Sequence, residues 1–422
     1  MLNTTALMTD RYELTMLQAA RHSGTADRNC VFEVFTRHLP NGRRYGVVAG
    51  TGRLLEQIQN FRFDESTLNW LAAEKVVDAD TIDWLADYKF TGNISGYREG
   101  ELYFAHSPVL TVETTFAEGV LLETLILSIL NYDSAVASAA SRMVSAANGR
   151  FLAEMGSRRV NENSAVAAAR AAYIAGFDAS SNLEAGRSFG VPTMGTSAHA
   201  FTLLHDSEEQ AFKAQLETFG EKTTLLVDTY DIETAVRKAI SLAPNLGAVR
   251  IDSGDLGVEV KRVRQLLDEL GATETKITVT NDLDEFAIAA LAAAPVDSYG
   301  VGTSVATGSG SSTAGFVYKL VSHQNADGTW VDVAKTSAMK TNQGGKKFAA
   351  RTETAEIIST EVIDEGRNLL VELVANGEIK REFVGNTGVA IARAHHQIAK
   401  AELPLSGLRL MRGDAALPSI TR

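Results

Sequence analysis

One short apolar run in this chain closes on an arginine and two aspartates: Arg250-Ile251-Asp252-Ser253-Gly254-Asp255. If residues 248–251 form a strand, Arg250 and Asp252 share its parity and face the same ligand. A guanidinium grips a phosphate or carboxylate through two parallel N–H bonds. The acids suit ribose hydroxyls, or a magnesium ion met directly or through water. Gly254 lets the backbone come close. Six such residues in isolation read more simply as a helix N-cap beside a structural ion pair. Other segments end in the same manner, and that changes the balance. Ser298-Tyr299-Gly300-Val301-Gly302-Thr303-Ser304 is a hydroxyl-rich strand exit whose N–H groups, around Gly302 and Thr303, can face a phosphate. His199 closes the small-residue run Pro192-Thr193-Met194-Gly195-Thr196-Ser197-Ala198. An imidazole can serve as nucleophile or proton carrier, although spacing alone favours an ordinary histidine. Tyr12 reads as a packing residue of the first helix, and Arg158-Arg159 as a solvated face or a helix C-terminal charge. No HExxH, CxxC, GxSxG or GxxxxGK[ST] pattern occurs.

The elements that must position these groups follow from periodicity. Strand-like runs at 224–227, 248–251, 277–280 and 298–301 alternate with helical patterns at 231–243, 258–270 and 284–293. Such alternation predicts a parallel sheet, with ligands at the carboxyl ends of its strands. The polar clusters sit there: Asp228-Thr229, Asp252 to Asp255, Asn281-Asp282 and Gly302-Thr303-Ser304. Clusters in register are hard to explain as ordinary loops, so an enzyme is the favoured reading. A structural protein would give them no reason to line up.

Earlier in the chain, Asp10 followed by Glu13 predicts a capping box opening a helix over 11–22. Residues 30–35 alternate as a strand, and Asn41-Gly42 marks a turn. A helical stretch is expected from 119 to about 154. Its small residues near 134–147 point to close packing against another helix, in this chain or a partner subunit. After a Gly/Ser/Thr-rich loop at 301–315, strands return at 316–321 and 330–333. The expected division is residues 1–115 as the first part of a smaller α/β domain, 116–324 as a barrel-like catalytic domain, and 325–422 packing with the first part.

The chain has 422 residues, 45% hydrophobic and 22% charged, in the ordinary globular range. Its 40 basic and 52 acidic side chains give a net charge of -12 and no basic patch, which argues against nucleic-acid binding. Local N–H groups and arginines still permit anion binding. Cys30 is the only cysteine, so no intrachain disulfide forms. The first 13 residues do not read as a signal peptide. The most apolar stretch, 120–130, contains Glu123 and is too short for a bilayer. A cytoplasmic protein is expected.

Across nearly its whole length the chain resembles the nicotinate phosphoribosyltransferase family. The resemblance rests on ordered motifs: Met8-Thr9-Asp10-Arg11-Tyr12-Glu13-Leu14-Thr15-Met16, FEVFTRHLP from Phe32, Gly156-Ser157-Arg158-Arg159, Ser180-Ser181-Asn182, Gly195-Thr196-Ser197-Ala198-His199, VRIDSGD from Val249, YGVGTSV from Tyr299, and the basic run 335–351. It implies a type II phosphoribosyltransferase architecture, an irregular α/β barrel with a smaller discontinuous α/β domain. It implies a homodimer with active sites near the interface. The substrates would be nicotinate and phosphoribosyl pyrophosphate, with ATP as co-substrate and Mg²⁺ as cofactor. By motif, Tyr12 and Arg158 would meet nicotinate, with Ser181 and Thr196 beside it. Arg250, Gly302 and Thr303 would bind the phosphoribosyl donor. Asp252 and Asp255 would hold the ribose or the hydrated metal, and His199 would become a phosphohistidine. Where the family usually carries Gly-Thr-Ser-Asn, this chain has Ala179-Ser180-Ser181-Asn182. The related nicotinamide-using family has an aspartate at the position matching Ser181. An uncharged serine suits a carboxylate substrate that an aspartate would repel. The decarboxylating quinolinate enzyme belongs to a shorter family and does not suit the His199 block.

Overall fold

A computed structural model describes residues 4–335 and 343–422; residues 336–342 of the basic run lie outside it. Two compact units are present: Met1–Ser138 with Ser311–Arg422, and Ala139–Gly310.

The first unit is built on a seven-stranded antiparallel sheet, ordered Trp330–Asp332, Phe316–Gln324, Asn29–Thr36, Leu110–Thr115, Asn93–Tyr97, Leu370–Ala375, Glu378–Ile379. Its strands are rich in β-branched and aromatic residues, which fit a pleated, packed surface. Phe32 and Tyr318 stack across two of them at 4.9 Å between centroids. The helix Arg11–His22 starts and ends as expected and buries Leu14, Leu17 and Ala20. The expected capping box does not form, because Asp10 makes no side-chain cap bond. Glu13 turns instead into the core, where its carboxylate accepts from the Thr124 N–H at 2.9 Å and from the Thr124 hydroxyl. Burial, the largest influence, pushes this carboxyl up to about 7, against the bonds from Thr124.

The helical stretch expected to reach 154 ends sooner. Helices Phe116–Val120 and Glu123–Ala147 are followed by Asn148 and Gly149, both with positive φ (50° and 83°). This is a left-handed stop signal, and residues beyond it form a strand. The small residues of the long helix contact backbone. Ser134 Oγ accepts from the Ala49 N–H at 3.0 Å, and Ser138 Oγ from the Val47 N–H at 2.9 Å. A larger side chain would hold that segment away.

The second unit contains a six-stranded parallel sheet: β1 (Phe151–Glu154), β2 (Ala179–Ser180), β3 (Thr224–Leu226), β4 (Ala248–Ile251), β5 (Lys276–Val279) and β6 (Ser298–Val301). The spatial order is β2-β1-β6-β5-β4-β3, with every pairing parallel. Helices Ile232–Leu242, Leu256–Glu269 and Glu285–Ala290 connect the last four strands, capped by Asp231, Asp255 and Asp284. These strands and helices match the expected alternation with small shifts at their ends. Among the described residues no helix is long and apolar enough to cross a membrane.

Candidate active site

The parallel sheet brings its polar strand exits to one end. Arg250, the third residue of β4, is held by four bonds. Its Nε donates to Thr280 Oγ1 at 3.0 Å, Nη1 to Thr196 Oγ1 at 2.9 Å and to the Ser197 carbonyl at 3.0 Å, and Nη2 to Asp252 Oδ1 at 3.2 Å. Its side chain is 14% exposed, so its charge and its one remaining N–H are held in place before any ligand arrives. The shared parity of Arg250 and Asp252 is therefore real. Thr280, one residue past β5, also donates to Asp252 Oδ1. Burial works to raise the Asp252 carboxyl. The Thr280 bond, the Arg250 guanidinium and nearby His199 outweigh it and hold the group below its ordinary 3.8.

Behind this pair stands Asp228, at the exit of β3, with its side chain 1% exposed. Its Oδ2 accepts from the Asp252 N–H at 2.8 Å and from Ser253 Oγ at 2.7 Å. Its Oδ1 has no hydrogen-bond partner among the described residues and lies 4.0 Å from His199 Nε2. Asp252 Oδ2 lies 3.7 Å from the same nitrogen, and His199 Nδ1 is 3.1 Å from Thr229 Oγ1. The imidazole opens the short helix His199–Leu204 with its side chain 40% exposed. Its orientation is fixed, yet one side remains open to a reactant, as a nucleophile requires.

A cavity of about 550 Å³ opens over this cluster. Arg158, Arg159 and Arg250 supply its cationic groups, and Asp252 and Asp282 its acids; Ser181, Thr196, Thr280 and Thr303 add hydroxyls. This lining suits an anionic, hydroxyl-bearing ligand. Asn281 sits on the wall with φ 104°, a strained conformation for a non-glycine residue.

The structure thus gathers most of the expected residues. Thr196, Arg250 and Asp252 share one hydrogen-bond network, with the His199 ring beside it; Arg158, Ser181, Gly302 and Thr303 line the same cavity. Asp255 is placed otherwise. It is exposed and caps the helix Leu256–Glu269, accepting from the N–H groups of Gly257 and Val258. Gly254 is needed for its φ of 85° rather than for close approach, since a Cβ there would meet only Glu259 Cγ at 3.4 Å. Tyr12 lies in the first unit, 45% exposed, where burial first and then Glu123 push its hydroxyl up to about 12. Two residues escape the sequence reading: Thr280, which joins Arg250 to Asp252, and Glu154, a fully buried acid at the end of β1. Asn148-Gly149, a turn signal before a short apolar run, is the clue that reveals β1 and hence Glu154.

The sequence pattern of the nicotinate phosphoribosyltransferase (NAPRTase) N-terminal domain matches residues 7–131, and that of the nicotinate phosphoribosyltransferase (NAPRTase) family matches 151–367. Over 435 aligned positions the chain is 54% identical to nicotinate phosphoribosyltransferase pncB1 of Mycobacterium tuberculosis, covering 98% of this chain and 95% of that protein. The chain belongs to the nicotinate phosphoribosyltransferase family. Another relative, the nicotinate phosphoribosyltransferase of Bacillus subtilis, is 37% identical over 79% of this chain and 70% of its own length. The crystal structure of human nicotinic acid phosphoribosyltransferase has the same fold, with a TM-score of 0.82 and 24% identity over 98% of this chain and 97% of that one. A nicotinate-nucleotide pyrophosphorylase from Pyrococcus furiosus follows at 0.78 and 24%, over 94% and 95%. These neighbours place the fold in the type II phosphoribosyltransferase class. Ala179, the departure from the usual family motif, sits in β2 paired with Ala153 and has no positive φ, so nothing there requires glycine.

Proposed function

We propose that this family member joins nicotinate to phosphoribosyl pyrophosphate, giving nicotinate mononucleotide and pyrophosphate, and couples the reaction to hydrolysis of ATP to ADP and phosphate. The observation that carries this reading is the preassembled Arg250–Thr280–Asp252 network beside His199, opening on an arginine-lined cavity.

The pyridine nitrogen already carries a lone pair, so attack on ribose C1 needs no general base. The C1–O bond to pyrophosphate breaks and its electrons leave with the pyrophosphate. The protein's work is to position both reactants and stabilise the departing charge. Arg250, held by four bonds, has one N–H and its fixed positive charge left to meet a phosphate. Asp252 stays ionised and is placed for ribose hydroxyls. Arg158 suits the nicotinate carboxylate, with uncharged Ser181 on the same wall. Gly302 and Thr303 belong to the donor side. Asp255, bound up in its helix cap, acts through the shape of the 252–255 turn. Tyr12 is assigned to nicotinate by its motif alone.

His199 would accept the γ-phosphoryl of ATP and lose it to water. Thr229 and the two carboxylates at Nε2 fix which ring edge is presented. Among the described residues no group of three His, Cys, Asp or Glu side chains forms a metal cage. Asp252 and Asp282 are the cavity acids that would meet a magnesium ion, directly or through water. Magnesium would neutralise charge on the leaving pyrophosphate. A cytoplasmic homodimer is proposed on the family resemblance; light scattering after gel filtration reports the mass.

The test is product formation with Mg²⁺, phosphoribosyl pyrophosphate and either nicotinate or nicotinamide, each with and without ATP. Nicotinate mononucleotide, formed faster with ATP, is expected. Equal or better turnover of nicotinamide overturns the substrate assignment.

A further inference from the structure

Glu154 ends β1, yet its carboxylate does not face the cavity; it is 0% exposed. Its Oε2 accepts from Ser180 Oγ at 2.6 Å, and its Oε1 from the N–H of Gly156. Its carbonyl accepts from the Ser181 N–H at 2.8 Å. The bonds continue outward. Ser180 Oγ accepts from the Asn182 N–H at 2.9 Å, and Asn182 Nδ2 donates to Ser157 Oγ at 3.0 Å. Two loops are joined in this way: 155–159, which carries Arg158, and 181–182, which carries Ser181.

We propose that Glu154 is a positioning residue for the pyridine base: its buried carboxylate clamps loop 155–159 to loop 181–182 and so fixes Arg158 relative to Ser181. The inference rests on the proposed function for the identity of the base. Both carboxylate oxygens act as acceptors, one for an N–H and one for an O–H, so the site calls for the ionised form. Burial raises the carboxyl while the Ser180 and Gly156 bonds oppose that rise. A buried acid in an apolar layer is costly unless its bonds are all made. Here one is made to Gly156 in loop 155–159 and the other to Ser180, the last residue of β2, whose Oγ passes the contact on to Asn182. Gly156 belongs to the same device. A Cβ there would lie 2.8 Å from Glu154 Oε1, 2.9 Å from the Gly302 carbonyl and 2.7 Å from Ala306 Cβ. Only a glycine lets the turn sit inside the clamp, against the loop of the donor side.

A glutamine is nearly isosteric but replaces one acceptor with a donor. With its oxygen toward Gly156, its NH₂ faces Ser180 Oγ, whose own proton then loses its acceptor. Glu154→Gln is therefore expected to raise the KM for nicotinate at least tenfold while the KM for phosphoribosyl pyrophosphate stays within twofold. Preference for nicotinate over nicotinamide narrows as well. Ser180→Ala, which removes one arm, is expected to move the same KM in the same direction by a smaller factor, and it carries the test if Glu154→Gln fails to fold. Amide hydrogen exchange at 156 and 181–182, measured in the unliganded variants, should be faster than in wild type. Unchanged exchange there, an unchanged nicotinate KM, or equal rises in both KM values overturns the clamp. A wild type that makes no product from nicotinate overturns the proposed function instead, and the exchange measurement still decides whether the loops are clamped.

Discussion

His199 Nε2 lies 3.7 Å from Asp252 Oδ2, and Asp252 is the residue that Arg250 grips through its other oxygen. The group proposed to handle ATP and the group proposed to bind the phosphoribosyl donor thus share one carboxylate. Phosphorylating His199 would place negative charge beside Asp252, and the repulsion would be felt at Arg250. This gives a direct route by which ATP use can alter donor binding. His199→Ala is expected to leave the thermal midpoint within a few degrees, because the side chain is partly exposed, and to abolish ATP stimulation. Product assays with and without ATP, with ADP release measured in parallel, check it. Undiminished ATP-coupled turnover would refute the role.

Arg250→Ala should lower kcat/KM for phosphoribosyl pyrophosphate by roughly a hundredfold or more, since a lost preorganised donor costs about 3 kcal/mol of transition-state stabilisation. Arg250→Lys should recover little of it. A lysine cannot serve Thr280, Thr196 and Asp252 from one plane. Normal donor kinetics in either variant removes Arg250 from the donor site.

Thr280→Val keeps shape and removes one hydroxyl. It leaves Arg250 Nε and Asp252 Oδ1 each short of a partner. An unsatisfied group of this kind costs about 1–3 kcal/mol. The expected outcome is a KM for the phosphoribosyl donor raised roughly tenfold, with Thr280→Ser near wild type. A serine variant as poor as the valine one would show that the methyl group matters, not the bond.

Ser181→Asp places a further negative charge in the cavity that Arg158 lines. Nicotinate, an anion, should lose affinity at least tenfold, and neutral nicotinamide should lose less or gain. Parallel kinetics with both bases decide it, and an unchanged ratio of the two kcat/KM values rejects Ser181 as a selectivity residue.

His396 gives a pH prediction away from the site. It is 2% exposed in the helix Gly385–Ala401, with Nδ1 donating to the Gly100 carbonyl at 2.9 Å. Burial is the main cause that pulls it down to about 4, from an ordinary 6.5; Lys400 and His395 add to this, while the Gly100 bond and Glu101 oppose it. Below 6.5 the unfolded chain takes up a proton that the folded chain refuses. The stability is therefore present above pH 6.5 and lost progressively as pH falls toward 4. The full loss is about 3 kcal/mol by linkage. Urea midpoints at pH 7 and pH 5 should fall further in wild type than in His396→Gln; equal falls would show that other groups carry the acid sensitivity.

Much of the site is legible in the amino-acid sequence. Parity along a strand is a local property, so the pairing of Arg250 with Asp252 follows from VRIDSGD. Strand–helix alternation is also local, and it places the polar clusters at one end of a parallel sheet. Other features depend on neighbours remote in sequence. Glu13 satisfies the spacing of a capping box, but Thr124, 111 positions away, takes its carboxylate. Residues 151–154 continue the apolar composition of the helix preceding them, and only Asn148-Gly149 hints at the break. Asp255 has the spacing of a partner for Asp252, yet a one-residue turn at Gly254 sends it to cap the next helix. The sequence by itself determined the family, the parallel sheet and the chemical types at its strand exits, because these follow from local periodicity and ordered motifs. Only the tertiary structure decided that Thr280 bridges Arg250 to Asp252 and that Glu154 ties two loops together. The bonds from Arg250 to Thr280 and from Ser180 to Glu154 join residues 30 and 26 positions apart. A hydrogen bond is set by distance in space, which a linear pattern does not contain.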